Sequence, residues 1–195
     1  MKHLVITIGC EYGAKGNAIG KKIAQDLGIK FYDRDLVDEI IKEVGIPTDI
    51  MDRVEEGGTI AGKGAQGDVR GSFSKYADLT DRAIHVQKQI IRKLAQKEAC
   101  VIIGRSADYI LKDRDDVLNV FIHGDTPEKI QRITRLYNVE EQKAVKMMVD
   151  IDKRRMANYN FYTNQKWGKA DNYTLCLNSS QLGYDRCEKI IMECI

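Results

Sequence analysis

No apolar run in the 195 residues approaches the roughly 20 needed to cross a bilayer. The N-terminus, Met1-Lys2-His3, leads into a strand within a few residues and lacks the apolar run and small-residue cleavage site of a signal peptide. Cytoplasmic residence, with no membrane partner, is the expectation. Histidine is scarce too: His3, His85 and His123 are scattered too widely for a metal cluster. The five cysteines, Cys10, Cys100, Cys176, Cys187 and Cys194, include no C-x-x-C pair, which argues against zinc or a redox centre and for reduced core thiols. Two of them, Cys100 and Cys176, lie in apolar runs that read as buried strands. An excess of one charge is also missing. The 31 basic residues nearly match 29 acidic ones, a net charge of +2, so no nucleic-acid partner is expected and the basic residues must matter locally.

What is present is an alternation of strands and helices. Leu4 to Ile8 reads as a central parallel strand, and Asn17 to Leu27 as a helix with Ile19, Ile23, Ala24 and Leu27 on one face and Gly28 as its stop. Ile29 to Tyr32 forms a second strand. Asp33 then stands as N-cap of a helix carrying Leu36, Val37, Ile40, Ile41 and Val44. Residues 55–72 hold six glycines and almost no large apolar side chains, which predicts a mobile insert, either a lid or a disordered segment. Tyr76 to Gln96 is helical, Cys100 to Ile103 and Val117 to Ile122 are strands, and Thr126-Pro127-Glu128 opens a helix running to Tyr137. A polar-rich helix follows from Glu140 to about Asn158, then a strand at Tyr173 to Leu177 and a helix from Tyr184 to Cys194. This order implies a single α/β domain over 1–195, built on a parallel sheet covered on both faces.

Between the first strand and helix lies Gly9-Cys10-Glu11-Tyr12-Gly13-Ala14-Lys15-Gly16-Asn17. A strand turning through glycines into a helix presents free N–H groups and the positive end of the helix dipole to an anion. The P-loop pattern G-x-x-x-x-G-K-[ST] fits imperfectly in two registers. Counting from Gly9 makes Lys15 the lysine, with Ala14 for the second glycine and Gly16 for the hydroxyl residue. Counting back from the helix puts Gly16 at the lysine and Asn17 at the hydroxyl position. A glycine turn with no ligand is the alternative.

In an open parallel sheet, ligands gather beyond the carboxyl ends of the strands. Those ends carry the glycine loop, Asp33-Arg34-Asp35, Gly104-Arg105 and His123-Gly124-Asp125. Arg132, Arg135, Lys153, Arg154 and Arg155 lie on two consecutive helices. If the turn near Tyr137 to Glu140 folds that hairpin over the sheet edge, its arginines face bound phosphates, which a guanidinium holds bidentately. Solvated helix faces and ordinary salt bridges are the competing readings.

Together these segments resemble the cytidylate kinase-like proteins, a branch of the P-loop nucleoside monophosphate kinases. The resemblance rests on Ile6-Thr7-Ile8 with Tyr12-Gly13 and Gly16, on Phe31 to Leu36, and on Ile103 to Tyr109. It continues through Asp152 to Arg155 with Asn158-Tyr159, Trp167-Gly168, Asn172-Tyr173 and Leu175 to Asn178. It implies a three-layer α/β/α P-loop kinase fold with a five-stranded parallel sheet and a helical lid at about 137–170. It also implies an ATP-dependent phosphotransferase using Mg2+, with a nucleotide or other small molecule as acceptor. On that reading Gly13, Ala14, Lys15, Gly16, Asn17, Arg132 and Arg135 bind the nucleotide. Asp33, Arg34, Arg105 and Asp108 bind the acceptor, and Lys15, Arg154 and Arg155 serve catalysis; no residue is expected to bind metal permanently. Two places depart from the family's motifs: Ser106 stands where an acidic residue follows glycine-arginine, and Arg155 where the lid has its second aspartate. A catalytically weak nucleotide-binding or regulatory protein that kept the fold is the other functional reading, and a homodimer is left open.

Overall fold

The computed structural model describes residues 4–43, 45 and 70–195. Five strands, β1 (Val5–Cys10), β2 (Lys30–Tyr32), β3 (Cys100–Ile103), β4 (Val117–His123) and β5 (Leu175–Asn178), form one parallel sheet in the order β2-β3-β1-β4-β5. β1 lies at the centre, pairing Ile8 with Ile103 on one side and with Val120 on the other. A strand with neighbours on both edges and helices over both faces meets almost no water, which is why β3 is apolar throughout and the one buried hydroxyl of β1, Thr7, donates to Asn119 Oδ1 (2.6 Å). The helices are α1 (Gly16–Leu27), α2 (Arg34–Glu43), α3 (Arg70–Lys97), α4 (Ala107–Ile110), α5 (Thr126–Tyr137), α6 (Glu141–Thr163), α7 (Ser179–Leu182) and α8 (Tyr184–Met192).

The pleat sorts the strand side chains into two cores. Val5, Cys100 and Ile102 pack with Val37 and Ile41 of α2, Ile84 and Ile91 of α3, and Ile110 of α4. Ile6, Ile8, Val101, Ile103 and Val120 face the other way, onto Ile19 and Ile23 of α1 and Cys187 and Ile191 of α8. Each fully buried isoleucine contributes about 1.5–3 kcal/mol. Gly20 lets α1 approach the sheet closely: a Cβ there would meet Ile103 Cδ1 at 2.7 Å. A third, smaller cluster of Ile133, Ala144 and Met148 holds α5 against α6.

Several boundaries differ from the sequence reading. β1 runs on through Gly9 and Cys10, because Gly9 and Cys10 pair with Phe121 and Ile122. The turn between β1 and α1 therefore shrinks to Glu11–Lys15. α3 begins at Arg70, six residues before the periodicity at Tyr76 and inside the expected insert; positions 55–69 and Val44 lie outside the described residues. α6 continues to Thr163, and β5 starts at Leu175, not Tyr173. Cys100 and Cys187 are buried and all five thiols are free, but Cys176 is exposed, contrary to expectation. β5 is an edge strand, and Cys176 alternates with buried Leu177 toward solvent. Among the described residues no helix is long and apolar enough to cross a membrane.

Candidate functional site

The carboxyl end of the sheet gathers the turns after β1 and β3 and the hairpin of α5 and α6. The β1–α1 turn is cross-braced at almost every residue. Glu11 takes its carboxylate to the far side, where Oε2 accepts from the Gly124 N–H (3.2 Å) and from the buried Lys129 Nζ (2.6 Å). Arg132 donates to the Gly13 carbonyl and Ser179 Oγ to that of Ala14 (3.0 Å). From α6, Asp152 Oδ1 accepts from the Tyr12 N–H (2.8 Å), and Arg155 Nη1 donates to the Cys10 carbonyl (2.8 Å). The long polar helix thus grips the loop directly. Burial pushes the Asp152 carboxyl upward, against the pull of the Tyr12 amide and Arg155.

Backbone conformation separates the two registers in which the sequence was compared with the P-loop pattern. Lys15 is the N-cap of α1 with φ 61°, ψ 21°, a left-handed conformation that suits the glycine of the pattern and costs an L-residue about 1–2 kcal/mol. Gly16, the first helical residue, then stands where the lysine of the pattern would be. A Cβ at Gly16 would lie 2.5 Å from Cys10 Cβ and 2.8 Å from its Sγ, so Cys10 fills the room a side chain would need. Lys15 supplies its ammonium from one residue earlier. Its Nζ lies 3.6 Å from the Tyr184 ring centre, and the Arg132 guanidinium 4.7 Å from the same ring. Desolvation lowers the Lys15 pKa, and Arg132 lowers it further; desolvation also lowers Arg132. Two cations sharing one neutral ring beside the positive end of α1 call for an anion. The first-turn amides of Asn17 and Ala18 have no intrahelical acceptors and can donate to it, while that of Gly16 faces the Cys10 thiol.

Across the sheet edge, Arg105 and Ser106 also adopt left-handed conformations, φ 57° and 53°. Such strain in side chains other than Asn or Gly collects at sites that bind. Arg105, only 4% exposed, is ion-paired with Asp38 of α2, which also meets Arg34 at 3.8 Å. Asp33 serves as the α2 cap, its Oδ1 accepting from the Leu36 N–H (3.0 Å). Asp108 is buried and accepts from the Tyr159 hydroxyl (2.6 Å); its pKa is raised by burial and pulled back in part by that bond.

A cavity of about 410 Å³ joins these parts, lined by Gly9, Cys10 and Tyr12, by Arg34, Arg105 and Asp108, and by Arg154, Arg155 and Trp167. Of the residues singled out by sequence, Arg34, Arg105, Asp108, Arg154 and Arg155 meet on this cavity, while Gly13, Ala14, Lys15, Gly16, Asn17 and Arg132 meet at the adjoining loop. Asp33 is not among its walls, and Arg135 is exposed in the last turn of α5. Glu11, Lys129 and Tyr184 were not foreseen, while Asp152 and Tyr159, named within the family motifs, were given no contact with the loop or with Asp108. Asp152 had a signal, its place three residues before Arg155; Tyr184 had none, since only folding carries α8 to the start of α1. Among the described residues no three metal-binding side chains cluster.

Residues 5–181 match the model of the Cytidylate kinase-like family. An uncharacterized protein from Eubacterium ventriosum ATCC 27560 is similar over 99% of this chain and 98% of its own, with 28% identity and a TM-score of 0.77. Shikimate kinase from Bacteroides thetaiotaomicron shares the fold at 14% identity, a TM-score of 0.53, and coverage of 98% and 97%. Shikimate kinase from Acinetobacter baumannii, in complex with shikimate, does so at 16% identity, the same TM-score, and coverage of 98% and 92%. No curated protein matches the chain.

Proposed function

The chain belongs to the cytidylate kinase-like family, and from that premise we propose that it is an ATP-dependent phosphotransferase whose acceptor is a nucleotide or another small molecule. The observation that carries this reading is the convergence of the α1 N-terminus, Lys15 and Arg132 with an arginine-lined cavity of about 410 Å³ at the same sheet edge. The loop is the donor side: the amides of Asn17 and Ala18 and the Lys15 ammonium hold the triphosphate. The cavity is the acceptor side, with Arg34 and Arg105 on its outer wall. Arg154 and Arg155 stand between them on the proposed lid at about 137–170 and offset charge on the moving phosphoryl group, the main demand of this chemistry.

The donor set fits a triphosphate better than a resident metal. The hydroxyl position of the P-loop is Asn17, so the chain offers Mg2+ one amide oxygen, and the ion would be held chiefly by phosphates and water. Bound there, Mg2+ would supply charge neutralisation between the outer phosphates.

The test is thermal denaturation with ATP, with and without Mg2+, followed by turnover against a panel of monophosphates and small hydroxy compounds. Ligand at 100 times its Kd stabilises by about 2.7 kcal/mol, a shift of roughly 5–10 °C for a chain of this size. No shift with any nucleotide refutes the proposal. Lys15→Ala should weaken ATP binding about tenfold. The second reading, a nucleotide-binding protein without turnover, is favoured by Gly16 at the position of the P-loop lysine. ATP binding with no turnover against any acceptor would select it.

A further inference from the structure

Lys15 and Arg132 carry like charges, yet both come to rest against one neutral ring. The Tyr184 ring centre lies 3.6 Å from Lys15 Nζ and 4.7 Å from the Arg132 guanidinium carbon. Local features bring that ring to the turn after β1. Asn178 Oδ1 caps α7, accepting from the N–H groups of Ser180 (2.9 Å) and Gln181 (3.3 Å), and Ser179 Oγ ties the same short helix to the Ala14 carbonyl. Gly183, with φ 75°, a conformation open to glycine, then breaks α7 and opens α8. In α8, Tyr184 stands three residues before Cys187 and seven before Ile191, on the face that packs toward the sheet. The core therefore fixes the ring from behind, while Lys15 is exposed.

We infer that Tyr184 is a positioning residue of the phosphate site, its ring face gathering the Lys15 and Arg132 side chains beside the start of α1 for a polyphosphate to meet. The inference rests on the phosphotransfer reading of that turn. Two long cationic side chains left to themselves repel each other and spread, and a ligand then bears the entropy of collecting them. The negative face of an aromatic ring attracts both and neutralises neither, so their charge stays available to an anion. A carboxylate in the same place would consume that charge, as Glu11 does for Lys129 and Asp38 for Arg105. Arg132 is held a second time, by its donation to the Gly13 carbonyl. For Lys15, which leaves the chain from a left-handed N-cap one residue before α1, the ring sets where the ammonium stands.

The experiment measures the Kd of the whole chain for ATP and for inorganic tripolyphosphate, which has no base to stack. Tyr184→Phe keeps the ring face and should bind both ligands within about twofold of the wild type. Tyr184→Leu loses the face and should weaken both about fivefold, or ~1 kcal/mol. Progressively fluorinated phenylalanines placed at position 184 drain the negative face at nearly constant shape, so affinity for both ligands should fall stepwise from the Phe value toward the Leu value. A ring that serves packing alone leaves the fluorinated series flat, and a flat series overturns the inference whether or not the Leu variant folds. A loss seen with ATP and not with tripolyphosphate overturns it too, as the mark of a base stacked on the ring. Binding of tripolyphosphate without ATP sinks the ATP-dependent reading and leaves the fluorinated series to judge Tyr184. A wild type that binds neither ligand sinks both, and one that binds both with a flat series sinks the role of Tyr184 alone.

Discussion

Cys10 and Gly16 explain each other. A strand residue bulkier than glycine at position 10 leaves no space at position 16, and the ammonium moves to Lys15 at the cost of a left-handed backbone. Gly16→Ala should destabilise the protein by about 1–3 kcal/mol, measured by urea denaturation. Adding Cys10→Gly should restore most of that, giving a coupling of about 1 kcal/mol or more between the two sites. Lys15→Gly should stabilise by about 1 kcal/mol, the relief of the left-handed conformation, while weakening ATP binding as Lys15→Ala does. Gain of stability with loss of binding would mark Lys15 as strained for function.

At the scale of elements, the α5–α6 hairpin holds to the turn after β1 by four hydrogen bonds: Lys129 to Glu11 and Arg132 to Gly13 from α5, and Asp152 to Tyr12 and Arg155 to Cys10 from α6. Stacking of Tyr12 on Tyr137, with ring centres 6.1 Å apart, adds to the grip. Asp152→Ala leaves the Tyr12 amide without its acceptor and should cost about 1–2 kcal/mol. Hydrogen exchange locates the effect: exchange at Tyr12 should accelerate about tenfold or more, with the buried amides of β1 and β3 unchanged. Arg135→Ala, on the exposed side of the same hairpin, should change stability by less than about 0.5 kcal/mol.

For the whole molecule, buried carboxyls tie stability to pH. The folded state raises the Asp108 pKa above its ordinary 3.8 by burial. Between 3.8 and the raised value the native protein holds more protons than the unfolded chain, so this group's contribution falls as pH rises through that window. Asp108→Asn keeps an acceptor for Tyr159 and has no charge to bury. It should therefore gain on the wild type as pH rises, with the difference in Tm vanishing toward pH 3.8. Trp167, the only tryptophan, stands edge-on to Phe121 at 5.2 Å and lines the cavity. Its fluorescence should respond to an acceptor-side ligand and not to ATP alone.

Much of this was legible in the residues because it is local. Apolar runs, helical periodicity, Gly28 as a stop and Asp33 as a cap are written over a few consecutive positions, and they place β1, α1 and the turn between them. Strand alternation with helices carried the parallel sheet, and the arginines at strand ends marked the edge where the cavity lies. What local pattern could not decide was how far β1 runs, since pairing of Gly9 and Cys10 with β4 extends it. Nor could it show the left-handed Lys15 or the contact of Cys10 with Gly16 across the turn. The bond Gln87 Nε2 donates to the Arg105 carbonyl, the ring of Tyr184 beneath Lys15 and the grip of Asp152 on Tyr12 join residues 18 to 169 positions apart. Hydrogen-bond partners and excluded volume at such separations exist only once the chain has closed, so the sequence determined the frame and the glycine turn between β1 and α1, and tertiary structure decided which side chains stand around them.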